Sequence, residues 1–144
     1  MKVFKILLGL FALGLLCVGA CVGGVYFWIS SNQEELAALA EEGERTGYEF
    51  GKDATADACL NKAFEDAAPC GGFDLVCETG VLLFLKACID VAEIPPGFCD
   101  GVPATSSILD SATYRVEACK DGPMDNTDRC GRLMGAVQEY CEEQ

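Results

Sequence analysis

Cys59 to Cys88 reads CLNKAFEDAAPCGGFDLVCETGVLLFLKAC, two pairs of cysteines with ten residues inside each pair and a short glycine-containing turn between the pairs. Eleven residues of α-helix advance about 1100°, roughly 20° past three full turns, and rise about 16.5 Å. Cys59 and Cys70 therefore share one helix face, and so do Cys77 and Cys88. In an antiparallel hairpin these faces meet in a nested pairing, Cys70 with Cys77 across the turn and Cys59 with Cys88 three turns away. The same C-x10-C interval recurs at Cys88/Cys99, Cys119/Cys130 and Cys130/Cys141. Cys119 and Cys130 flank the next turn, which leaves Cys99 and Cys141 to close the outer rung. Other connectivities stay open to eight cysteines; this one is favoured by geometry.

Hydrophobic periodicity around these cysteines predicts four helices and no strand. The first, about residues 54–67, places Leu60, Ala63, Phe64 and Ala67 on one face. The second, about 74–92, is capped by Asp74 and apolar almost all round, the pattern of a central, buried helix. Its Lys86 is expected to pair with Asp90 one turn on. A rigid loop, EIPPGFCDGVP, follows. The third helix, about 105–120, carries Ile108, Ala112, Val116 and Cys119 on one face, and the fourth, about 127–142, carries Cys130, Leu133, Met134, Val137 and Cys141.

Cysteine chemistry then indicates the compartment. Zinc sites favour C-x2-C or C-x4-C pairs, often with histidine, and a redox dithiol needs C-x-x-C; the chain has neither spacing and no histidine. Structural disulfides in an oxidising compartment are the remaining reading. In geometry the spacing resembles the C-x9-C helical hairpins of small mitochondrial proteins, with ten intervening residues here in place of nine.

The first thirty residues are a different material. Lys2 and Lys5 precede an uncharged, mostly apolar run of 24 residues, Ile6 to Ile29, long enough to cross a bilayer as a helix. All acids lie beyond it, so the positive-inside bias puts the N-terminus in the cytoplasm and the rest outside, with Tyr26, Phe27 and Trp28 at the outer interface. Val18-Gly19-Ala20-Cys21 resembles a bacterial lipobox, and the alternative is an envelope lipoprotein lipidated at Cys21; ordinary signal cleavage gives the same outside location. Within the span Gly14, Cys17, Cys21 and Gly24 line one face, a candidate helix-packing seam.

Ser31-Asn32-Gln33-Glu34 is a capping-box pattern that starts a helix beyond the membrane. Gly43, Gly47 and Gly51 follow at four-residue intervals. On a helix they form a bare stripe for close packing, but glycine costs about 1 kcal/mol relative to alanine at each position. Residues 31–52 are read as a helical or flexible stalk, and residues 53–144 as the folded domain.

Charge and composition narrow the function. The chain has 144 residues with 23 acidic and 10 basic side chains; residues 31–144 hold 8 of the basic and all of the acidic ones, a net of −15. That excludes nucleic acid as a partner. Without histidine there is no Ser-His or Cys-His nucleophile pair, no imidazole base and no HExxH site. The carboxylates Glu65, Asp66, Asp74, Glu78 and Asp90 fit capping or solvated positions better than acid-base work. Asp121, Asp125, Asn126 and Asp128 cluster near a turn but do not match a calcium loop. No catalytic, cofactor-binding or metal residue is assigned and no cofactor is expected. The reading is an all-α chain: an N-terminal transmembrane helix (residues 1–30 with a cytoplasmic tip, the membrane contacted through residues 6–29) plus a small disulfide-stapled four-helix domain. Its role is that of an interaction or structural module with a protein partner or a second copy. A carboxylate-dependent hydrolase is the rival from another class, with no residue pair to carry it.

Overall fold

The computed structural model describes residues 19, 22–24, 26, 27, 30, 33–71, 74–120, 124 and 127–144. From Gln33 onward there are five helices: α1 Gln33–Gly51, α2 Ala56–Ala67, α3 Leu75–Val91, α4 Ile108–Lys120 and α5 Thr127–Glu143. Among the described residues the β-structure is limited to an isolated parallel bridge between Thr55 and Glu93. The chain divides into two units, Met1–Ala37 and Ala38–Gln144.

In the first unit Gly19, residues 22–24, Tyr26, Phe27 and Ser30 are helical, with Tyr26 and Phe27 exposed. Most of the apolar run from residue 6 to 29, and the Ser31-Asn32 start of the capping box, lie outside the described residues. Among the described residues no helix is long and apolar enough to cross a membrane.

The second unit is built around α3. Asp74 caps it as its sequence indicates, its side chain accepting from the Cys77 amide at 3.0 Å. Leu85, Cys88 and Ile89 are fully or almost fully buried, together with Val81, Phe84 and Glu78. Each large aliphatic side chain removed from water contributes about 1.5–3 kcal/mol. α2 is capped by Thr55, whose hydroxyl accepts from Ala58 N at 3.3 Å, and buries Cys59, Ala63, Phe64 and Ala67. It runs antiparallel to α3, and disulfides Cys70–Cys77 and Cys59–Cys88 close the two ends of the hairpin, each with Cα atoms 5.8 Å apart. α5 lays Leu133, Met134 and Val137 into the same core. Cys119–Cys130 turns α4 back along α5, and Cys99–Cys141 ties the proline-containing loop to the end of α5. These are the four pairs that the nested geometry favours. Gly97 and Gly101 make the sharp turns of that loop, at φ 85° and 76°, a region that side chains rarely adopt.

The expected stalk is where the structure departs most from the sequence reading. The compact unit begins at Ala38, so most of the segment read as a helical or flexible stalk belongs to it as helix α1, while residues 53–144 hold the four helices expected of them. The glycine stripe is the reason. A Cβ on Gly43, Gly47 or Gly51 would sit 2.7, 2.2 and 2.4 Å from the carbonyl oxygens of Gly80, Phe84 and Cys88 respectively. Both helices step by four residues in the same direction through this contact, so α1 and α3 run parallel, backbone against backbone. Where a side chain would stand, each glycine points a Cα hydrogen at a carbonyl, a contact worth about 0.5–1 kcal/mol. Phe50 adds a tilted ring contact to Phe84, with centroids 5.9 Å apart. Packing on this scale outweighs the helix-propensity cost of the glycines.

Two outcomes are expected. Gly47→Ala should destabilise the full chain by about 1–3 kcal/mol or more in urea unfolding, because the facing atom is rigid backbone. Gly80→Ala, with nothing within 4 Å of its Cβ, should stabilise by up to about 1 kcal/mol; equal effects at the two positions would show that the close approach is absent.

Reduction is the second test. The loop closed by Cys59–Cys88 spans 29 residues, which by chain entropy is worth about 3–4 kcal/mol. Complete reduction should abolish cooperative thermal unfolding by circular dichroism, and the oxidised chain should show no free thiol among Cys59, Cys70, Cys77, Cys88, Cys99, Cys119, Cys130 and Cys141.

Candidate functional site

The buried polar groups decide which surfaces remain free. Arg129, at the start of α5, is buried and donates through Nε to Glu78 Oε1 at 3.0 Å, through Nη1 to the Ala67 carbonyl at 3.1 Å, and through Nη2 to those of Cys70 and Gly71, each at 2.9 Å. Arg132 grips the other oxygen of Glu78 from the half-exposed side. A single guanidinium thus satisfies carbonyls at the end of α2 and the carboxylate of α3. Glu78 is the carboxylate buried among the described residues, and it is fully engaged in holding helices together. Of the other carboxylates considered for chemistry, Asp66 pairs with Lys62, Asp74 is a cap and Asp90 lies exposed on α3.

A second polar centre orients α4. Gln138 is completely buried; its amide nitrogen donates to the Pro103 carbonyl at 2.8 Å, and its oxygen accepts from Ser111 Oγ at 2.9 Å and Arg115 Nε at 3.0 Å. The Arg115 guanidinium lies against Gly135, 3.1 Å from where a Cβ would be. Close by, Thr105 donates its hydroxyl and amide to the Glu142 carboxylate, which holds that carboxyl below its ordinary pKa. Burial raises the pKa of the Tyr114 phenol. Leaving the Gln138 amide unpaired would cost about 1–3 kcal/mol, so its partners dictate the rotation of α4.

That rotation reverses an expectation. Of Ile108, Ala112, Val116 and Cys119, only Cys119 faces the core; Ile108 is 80% exposed, Leu109 82% and Val116 61%, and Ala112 is also exposed. The inner edge of α4 is instead Ser111, Arg115 and Cys119. The outer face is an unpartnered apolar stripe about two turns long, flanked by the acids Asp110 and Glu117 and by Lys120, while Arg115 is engaged on the inner edge.

The other shaped surface is a groove of about 620 Å³ between α1 and α3. Because the glycines bring the two backbones together, the side chains beyond the stripe stand apart and leave a crevice. Its floor and walls include Tyr48, Leu83, Ala87 and Val91. Lys86, expected to meet Asp90, reaches across to Glu139 on α5 at 2.6 Å.

Among the described residues no group of three or more cysteines, aspartates or glutamates is placed to hold a metal. Asp121, Asp125 and Asn126 lie outside the described residues, as do Gly14, Cys17 and Cys21 of the candidate seam. Gly24, the seam's fourth member, has nothing within 4 Å of its Cβ position. Sequence reasoning overlooked Arg129 and Gln138; their signal was a charged and an amide side chain set among the apolar positions of an otherwise core-facing helix. No protein-family model matches this chain, and no curated protein or solved structure matches it either.

The Glu78 centre makes a definite energetic claim. Arg129→Met should cost about 3–5 kcal/mol in urea unfolding, because it strips a buried carboxylate of its buried partner. Arg132→Met, at the half-exposed end, should cost about 1 kcal/mol or less.

Proposed function

We propose that this chain is a single-pass membrane protein, anchored through residues 6–29 with its N-terminus in the cytoplasm, that displays an acidic, disulfide-stapled helical domain outside as an interaction module. The observation that carries the interaction role is the outward apolar stripe of α4, Leu109, Ala112 and Val116 with Ile108 beside them. Polar anchoring of the opposite edge keeps that stripe on the surface, where it has no use in the fold. Its occupant in this reading is a second copy of the chain. Residues 31–144 carry a net charge of −15, which opposes self-association over most of the surface. The outward charges of α4 are few, Asp110 and Glu117 against Lys120, so two copies meet less of that repulsion there. One helix face is a small interface, and confinement to a membrane raises the effective concentration that a small interface needs.

The anchor is supported by the length of the apolar run, the lysines before it and the acids after it. The sequence Val18-Gly19-Ala20-Cys21 supports the second reading, a lipoprotein carrying the same domain. Intact mass separates the two, since cleavage before Cys21 and lipidation shift it in a characteristic way.

The test uses the full chain in membranes. A photocrosslinker at Val116 should join α4 of one copy to α4 of another, and Leu109→Glu should abolish the product, whereas Asn61→Glu on the exposed side of α2 should leave it intact. No copy-to-copy product from position 116 refutes the α4 interface. Protease added outside intact cells or spheroplasts should digest residues 31–144; protection of that region refutes the topology.

A further inference from the structure

We propose that the groove between α1 and α3 receives a basic amphipathic helix of a protein partner. It shares no residue with the α4 stripe and stands or falls separately from it. The groove has the two properties that such a ligand recognises: an apolar floor and an anionic rim.

The floor comes from Leu83, Ala87 and Val91 on α3, with the half-exposed Tyr48 ring as one wall. From residue 83 to 91 it extends about 12 Å at 1.5 Å per residue, matching two to three turns of helix with anchors at i, i+3 or i+4, and i+7.

The rim is more negative than its composition alone suggests. Both basic residues in the lining are already neutralised. Arg45 is held by Glu42 at 2.8 Å and Glu49 at 3.2 Å, and Lys86 by Glu139 at 2.6 Å. Glu41, Glu44 and Asp90 have no ion pair or side-chain hydrogen bond among the described residues. The helix ends add to this. α1 and α3 run parallel, so both C-termini, with their partial negative charge, lie at the Asp90 end of the groove, and neither helix has a basic residue in its last turn. Tyr48 has the Lys52 ammonium 4.2 Å from its ring centroid, one positive charge beside the groove that the carboxylates of Glu41, Glu44 and Asp90 outnumber. A second copy of this acidic chain would bring more carboxylates to the rim, whereas a lysine- or arginine-flanked helix brings what the rim lacks.

The experiment uses the full, disulfide-intact chain in detergent and two synthetic helical peptides with the same leucine stripe and a benzophenone at its centre, one flanked by lysines and the other by glutamates. The lysine peptide should crosslink to α1 and α3 residues of the groove, located by peptide mapping, and the glutamate peptide should not. Neutralising the rim with Glu41→Gln, Glu44→Gln and Asp90→Asn should cut the lysine-peptide product about tenfold, which is about 1.4 kcal/mol shared by three exposed pairs, and added salt should do the same. Unchanged circular dichroism and absence of free thiols show that the variant is folded. Leu109→Glu on α4 should leave peptide binding unaffected, so loss of the α4 interface is distinguishable from loss of this one. Equal crosslinking of both peptides, crosslinks mapping away from α1 and α3, a rim variant that binds as well as the parent chain, or no crosslinking at all would overturn the proposal.

Discussion

The carbonyl oxygens of Gly80, Phe84 and Cys88 lie too close to the Cβ positions of Gly43, Gly47 and Gly51 for any side chain to stand there. That exclusion sets the separation of α1 and α3, and much else follows from it. It adds a fifth helix to the domain and makes α1 parallel to α3. It also opens the crevice flanked by Tyr48 and Leu83. Cys88 is a node in this arrangement: its carbonyl faces Gly51 while its sulfur is bonded to Cys59. Glycine contact and disulfide thus fix the same turn of α3 from two sides, so neither α1 nor α2 can slide along it independently.

The disulfides have a further role around α4. Cys119–Cys130 pins one end of that helix, and Gln138, with its buried amide, pins the middle through Ser111 and Arg115. A helix held in this way need not be held by its apolar face. Leu109, Ala112 and Val116 are accordingly left outside, an arrangement that would be costly for a helix dependent on hydrophobic burial. Covalent and polar attachment on one edge makes an apolar surface available on the other.

Charge is partitioned as unevenly as polarity. Glu78, the deeply buried acid among the described residues, is gripped by two arginines, and the basic residues lining the α1/α3 groove, Arg45 and Lys86, are each tied to a carboxylate, so that the free charge of the lining is negative. On the outer face of α4 charge is sparse, Asp110 and Glu117 against Lys120. The same domain therefore presents two faces with different chemistry, one mainly apolar, the other grooved and anionic.

The sequence by itself determined what depends on local, periodic information. The C-x10-C interval carries helical phase, so it specified the antiparallel α2–α3 hairpin and the rung order of the cysteines; the apolar character of residues 75–91 marked α3 as central; and Asp74 marked its start. The tertiary structure decided whatever depends on a partner far away in the chain. Gly43, Gly47 and Gly51 are equally compatible with a loose stalk and a tight seam until the backbone of α3 is placed against them. The apolar residues of α4 point inward or outward according to the partners of Gln138, and Lys86 finds Glu139 rather than Asp90 only once α5 lies beside α3. Periodicity states which residues share a face; it does not state what that face meets, because hydrogen bonds and close packing between distant segments carry no repeat that a local pattern can reveal.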